Sequence, residues 1–283
     1  MNTEETNPLA TQKVSSLILK FTIPAIISMM VSSLYNIVDQ IFIGQGVGML
    51  GNAATNIAFP VNIICTAAAL LFGIGSASNF NLRSGAGHTE EAKNYAGCGL
   101  SLLVICGVII TAVTLFFLNP LMQVFGATEE VLPYALDYTR ITAIGVPFLT
   151  LTTGGCHLVR ADRSPTFSMV CMLTGAIINT ILDPLFIFAF HLGVRGAALA
   201  TILSQAVSCI WVLSFLCGKK TILHIRKKNL ILKPEIILPC VALGLATFIM
   251  QASESIISVC FNSSLLKYGG DIAVGAMTIL TSV

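Results

Sequence analysis

Charge is what this 283-residue sequence has least of: 10% of its residues are charged, against 55% hydrophobic, and mean hydropathy is +0.88. A water-soluble domain carries about a quarter charged residues. This chain lacks the polar material to coat a soluble globule, so its outer surface is expected to meet lipid. A net charge of +2 supplies no basic field, which argues against a nucleic-acid partner. Metal-site spacing is missing as well. The nine cysteines lie in or beside apolar runs, none as CxxC, and the four histidines form neither a cluster nor HExxH. The cysteines therefore read as small packing residues, and no metal is expected. There is no GxSxG and no recognisable catalytic aspartate pair, so no enzyme is indicated. The N-terminal MNTEETNPLATQK lacks the basic start of a signal peptide, so the first apolar run should remain as a spanning helix.

What the sequence has in abundance is long apolar runs. A bilayer crossing needs roughly 20 residues. Seven such runs occur, at about 15–43, 53–80, 95–118, 131–159, 165–190, 196–217 and 236–266, and an eighth begins at 272. Length selects helix over strand, and lipid cannot satisfy open strand edges. The fold class is therefore all-α, a polytopic membrane bundle. Its expected domains are a six-helix lobe over 1–217, a basic linker over 218–234, and the start of a second lobe over 235–283. Twelve residues from 272 are too few to span, so the chain reads as the front part of a longer protein. A shift of 219 residues aligns Ile37 with Ile256, Phe42 with Phe261, Gly51 with Gly270 and Ala54 with Ala273. With a Gly-containing external turn expected between the seventh and eighth runs, this suggests two parallel repeats.

Basic residues orient the bundle. With the N-terminus in the cytoplasm, that side holds Lys13, Lys20, Arg83, Lys93, Arg160, Arg163, Lys219, Lys220, Arg226, Lys227, Lys228 and Lys233. The external side holds Arg195 and Lys267, with Arg140 near the outer end of the fourth run. Twelve against two gives a multi-pass cell-membrane protein with a cytoplasmic N-terminus. The linker interleaves apolar and basic residues, as a segment lying on the anionic leaflet would, and equally as a plain topology anchor would.

Ionisable groups in hydrocarbon cost about 2.5–3.5 kcal/mol each on insertion scales, so each asks for a reason. At 1.5 Å per residue, Asp39 lies about 35 Å along the first run, and Asp183 and Glu254 about 27 Å along theirs. Tyr138, Thr201 and Gln205, on helices running the other way, also fall in the outer half. Tyr35 and Asn36 flank the face of Asp39. Asn179 and Asp183 are four apart, as are Thr201 and Gln205, and Gln251, Glu254 and Ser258 share a helical face. Pro184 cannot donate to the carbonyl of Thr180. A carboxylate desolvated beside a second acid holds its proton more readily, as proton coupling requires, and the same oxygens suit Na⁺. Asp137 and Arg140, three apart, are expected to neutralise one another.

Five stretches carry a resemblance: NIVDQIFIG (36–44), RSGAGHTEEA (83–92), RADRSP (160–165), NTILDPLFIF (179–188) and GVRGAALATILSQ (193–205). They resemble the multidrug and toxic compound extrusion (MATE) family, nearest its bacterial DinF-type branch. The resemblance implies twelve helices in two six-helix lobes forming a V, with substrate carried between them. It implies efflux of cationic, drug-like solutes by H⁺ or Na⁺ antiport, with no other cofactor, from a monomer of the full-length protein among membrane lipids. Its ion-coupling positions fall on Asp39, Tyr138, Asn179, Asp183 and Thr201. Tyr35, Asn36, Gln205, Gln251 and Glu254 would line the cavity, and Pro24 would bend the first helix. Glu254 departs from the DinF-type pattern. The alternatives are a lipid-linked oligosaccharide flippase of the same superfamily and an inactive fragment.

Overall fold

A computed structural model describes residues 13–218, 221, 223, 225–230 and 232–282. Among them eight α-helices follow in order: α1 (Val14–Gly46), α2 (Met49–Gly85), α3 (Thr89–Phe116), the short α4 (Leu118–Val124), α5 (Leu132–Ala161), α6 (Pro165–Pro184), α7 (Val194–Leu216) and α8 (Pro234–Ser282). A π-helical turn, Leu185–Ala189, extends α6. No strand occurs among the described residues. Apart from α4, every α-helix contains a stretch long and apolar enough to cross a membrane, in α8 Pro234–Glu254. Helices satisfy their backbone groups internally, the condition hydrocarbon imposes. Local chemistry sets the ends. Pro165 opens α6 where a missing N–H costs nothing. Gly48, at φ 86°, lets α1 turn back into α2 within two residues, a conformation other residues enter at a cost.

Small residues hold the helices together. A Cβ on Gly73 would stand 2.6 Å from Cα of Gly154, bringing α2 and α5 backbone to backbone. Gly107 packs as closely on Pro147, and Gly99 on Ser76. Gly75 of α2 lies against the Cys240 carbonyl of α8, and Gly244 of α8 against the Leu71 carbonyl. Without a hydrophobic drive between helices in lipid, such close approach is the main source of packing energy. Two apolar layers result. One holds Leu100, Leu103, Leu158, Val212 and Leu216. The other holds Ile57, Val61, Val131, Val146 and Met122, the last supplied by α4, an element the hydropathy reading passed over.

Three expectations are corrected. The external turn near 267–271 is absent, because α8 runs unbroken through Gly269 and Gly270. Its described side chains from Ser253 onward are exposed, so no neighbour bends the chain and local helical bonding prevails. The linker does not turn all of its apolar residues outward: Leu223 and Ile225 are buried in the core, while Leu230 and Leu232 are exposed. Leu223 N–H donates to Asp162 Oδ1 at 3.1 Å, and Asn229 Nδ2 to Asn94 Oδ1 at 2.7 Å. Ser101 Oγ donates to the Leu230 carbonyl at 3.0 Å, so the segment is strapped beneath the bundle. Finally, Asp137 pairs with Arg195, not Arg140: the guanidinium of α7 reaches its Oδ2 at 2.9 and 3.0 Å. The start of α7 stands beside the start of α5, and tertiary proximity replaced the i, i+3 pairing.

Gly75→Val and Gly244→Val should each force α2 from α8, costing about 1–3 kcal/mol by overpacking. The thermal midpoint in detergent should fall for both, and an unchanged midpoint would mean that these backbones do not meet.

Candidate functional site

α1 is buried only along a narrow stripe, Pro24, Ser28, Asp39 and Ile43, and its chief neighbour is α6. That stripe brings Asp39 to Asp183, the last residue of α6 before the proline. Both acids are buried, Asp183 completely. The two acids thus share one buried region between α1 and α6. Two carboxylates placed there need a proton, a cation or a neighbouring donor to offset their charge. Asn179, one turn back on α6, sends Nδ2 to Asp183 Oδ1 at 3.4 Å. Tyr35 and Tyr138 both lie within electrostatic range of the two acids. Residues of α1, α5 and α6 thus lie near one another.

The site has unfilled acceptors. Asp39 Oδ1, Asp183 Oδ2 and Asn179 Oδ1 are buried without a hydrogen-bond partner. Buried oxygens in this condition call for a proton donor, a water or a cation. One turn further along from the acids, Ile43, Ile187 and Ala197 form an apolar roof. Gly46 admits Ile187 there, and Phe42 meets Phe188 edge to face at 6.3 Å. The π turn supplies Ile187 and Phe188, so the irregular backbone after Pro184 builds the roof rather than merely ending a helix.

Other predicted residues are placed less centrally. Tyr138 packs against Val194 and Ala198 of α7. Thr201, half-buried, donates to its own helix at the Ala197 carbonyl, 3.0 Å away. Gln205 is half-buried facing Gly145 of α5. Asn36 is exposed on α1, and Pro24 is buried within it. On α8, Gln251 is half-buried and Glu254 exposed. The sequence reading missed a second polar patch. Thr55 of α2 donates to Gln40 Oε1 of α1 at 3.2 Å, and Asn52 Oδ1 is buried without a partner. The spacing of Asn52, Thr55 and Asn56, one face of the second run, was the available signal.

Seven helices long and apolar enough to cross a membrane, with buried acids among them, mark a multi-pass membrane protein. The MatE family model matches residues 24–185, more than half of the sequence. The chain belongs to that family, the MATE transporters. It is 28% identical over 249 residues to the multidrug export protein MepA of Staphylococcus haemolyticus, covering 88% of this chain and 55% of MepA. The chain thus spans about half the length of the curated relatives it matches. Among solved structures, the MATE multidrug transporter DinF-BH, solved in complex with a ligand, is 35% identical with a TM-score of 0.92, covering 100% of this chain and 63% of that one. A superfamily transporter from Pyrococcus furiosus, with a reversed-polarity binding pocket suggesting a different function, is 31% identical with a TM-score of 0.87, covering 98% of this chain and 62% of that one.

The two acids on α5 and α6 should behave differently. Asp137→Asn breaks a largely exposed bridge and should change stability by less than about 1 kcal/mol. Asp183→Leu leaves the Asn179 amide buried without its acceptor and should cost about 1–3 kcal/mol. Thermal midpoints of the two purified variants decide this, and equal shifts would remove the buried pairing.

Proposed function

We propose that this chain forms the ion-coupling part of an efflux transporter that exchanges H⁺ or Na⁺ for cationic, lipophilic solutes. The observation that carries the reading is the burial of Asp39 and Asp183 on neighbouring helices with Asp39 Oδ1, Asp183 Oδ2 and Asn179 Oδ1 left without a hydrogen-bond partner, acceptors that a positive charge would fill. Losing that charge sets two buried anions side by side, a repulsion strong in a low-dielectric site. α1 is the element free to respond, because only its narrow stripe is buried. Pro24 breaks its hydrogen-bond ladder at the Lys20 carbonyl, a ready point for bending. Protonation or ion binding would hold α1 on α6, and release would let it swing and reshape the path for solute.

The remaining parts of the reading follow. Tyr138, Asn179 and Thr201 complete the ion site, while Tyr35, Asn36, Gln205, Gln251 and Glu254 line the solute path. The N-terminus lies in the cytoplasm, as the basic residues require. Residues 1–217 form the first lobe, 218–234 the linker and 235–283 the opening of a second lobe. The full-length protein works as a monomer among membrane lipids. Support for the solute class comes from MepA, a multidrug export protein, and from DinF-BH, a MATE multidrug transporter.

The test is efflux of a fluorescent cationic dye from liposomes holding the full-length gene product, under an imposed pH or Na⁺ gradient. Wild type should move dye only with a gradient, and Asp183→Asn should lose at least about tenfold of that rate, the scale of one pairing worth about 1.4 kcal/mol. Dye that stays put under both gradients would overturn drug efflux and leave the flippase reading.

A further inference from the structure

The chemistry so far lies at one end of the bundle. A separate groove of about 700 Å³ lies at the other end, between the start of α6 and the last turns of α7. Its lining is apolar and aromatic: Phe167, Val207, Ile210, Trp211 and Phe215, with Ser214 and Gly218 as its small polar end. Phe167 stacks on Phe215 at 4.2 Å and meets Trp211 at 6.2 Å, so the walls are braced rather than collapsed. Ile210 is 65% exposed, and the groove opens sideways from two membrane-spanning helices. From Val207 to Gly218 it runs about 16 Å along α7. That equals one leaflet of a hydrocarbon core about 30 Å thick. Trp211, the chain's single tryptophan, stands near the cytoplasmic end, where indole rings favour the interface.

Basic residues adjoin that end in sequence. Arg163, in the turn joining α5 to α6, adopts φ 63°, a left-handed conformation that favours glycine. It forms the cap of α5 through Ser164 N–H to the Val159 carbonyl, the closing bond of a Schellman turn. A charged side chain therefore occupies a position where glycine would be less strained. Arg163 is half-buried and makes no ion pair with the described residues. The acid next to it, Asp162, is buried and turned to Leu223 N–H. Lys219 and Lys220 follow Gly218 in sequence.

Resting on the cytoplasmic orientation of the proposed function, we propose that this groove seats an anionic phospholipid of the inner leaflet, one acyl chain along Phe167, Trp211 and Phe215 and the phosphate at Arg163. The length match selects a single-leaflet chain, and a guanidinium without an ion pair among the described residues favours an anionic headgroup over a zwitterionic one.

Trp211 reports on its own neighbour. The full-chain protein is reconstituted with brominated phosphatidylglycerol or brominated phosphatidylcholine, and quenching of indole fluorescence is compared. The brominated anionic lipid should quench at about fivefold lower mole fraction, the size expected of one arginine near an anionic surface. Arg163→Gly removes the charge while relieving the backbone, so it should fold at least as well and lose the preference; Arg163→Lys should keep it. Equal quenching by both lipids would reduce the groove to ordinary lipid contact and overturn the proposal. So would absence of quenching, which would mean protein covers the groove, or a preference that survives in Arg163→Gly. No gradient or solute is needed, so this outcome is independent of the transport assay.

Discussion

Two carboxyl groups that must meet inside hydrocarbon are the constraint around which this bundle is arranged. Asp39 and Asp183 are both buried, and Asp39 Oδ1, Asp183 Oδ2 and Asn179 Oδ1 have no hydrogen-bond partner among the described residues. The helices carrying them are arranged accordingly. α6 ends at Pro184 in a π turn, and that turn throws Ile187 and Phe188 over the pair. α1 brings its acid in on a stripe one residue wide and leaves the rest of its surface apolar and exposed. Asp39, a buried acid, is thereby carried by a spanning helix of which only a narrow stripe is buried.

The remainder of the fold is stiff by comparison. α2, α5 and α8 meet through glycines at backbone distance, which leaves little freedom for one helix to slide on another. The linker adds a strap, burying Leu223 and Ile225 and bonding to α3 through Asn94 and Ser101. α1, buried only along its stripe, is the helix least held by such contacts. The π turn, the proline in α1 and the unpaired oxygens of Asp39, Asn179 and Asp183 fall on the α1–α6 side, and the glycines that meet another helix backbone at Gly154, Cys240 and Leu71 fall elsewhere.

Much of this was readable from the sequence, for identifiable reasons. Spanning helices announce themselves because hydrocarbon tolerates no unpaired backbone and few charges, so length and apolarity suffice. The acids stood out for the same reason, and Asn179 beside Asp183 followed from a four-residue spacing that survives in the helix. Spacing failed where another helix intervened. Asp137 looked paired with Arg140 until α7 brought Arg195 to it. The Gly269–Gly270 turn failed differently: glycine permits a turn, but only neighbours that pack on both sides of it make one.

The sequence by itself determined that the chain is a bundle of membrane-spanning helices, that its acids lie toward one end, and that its family is MATE. Each follows from local composition, helical period or short motifs, quantities a linear chain already contains. Tertiary structure alone decided that Asp39 and Asp183 are buried on neighbouring helices, that Ile43, Ile187 and Ala197 pack together one turn beyond them, and that Leu223 and Ile225 of the linker are buried in the core. Those facts depend on which helix faces lie opposite one another. Long apolar helices with little amphipathic pattern do not encode that choice in any one segment. Close packing of small residues across several segments settles it.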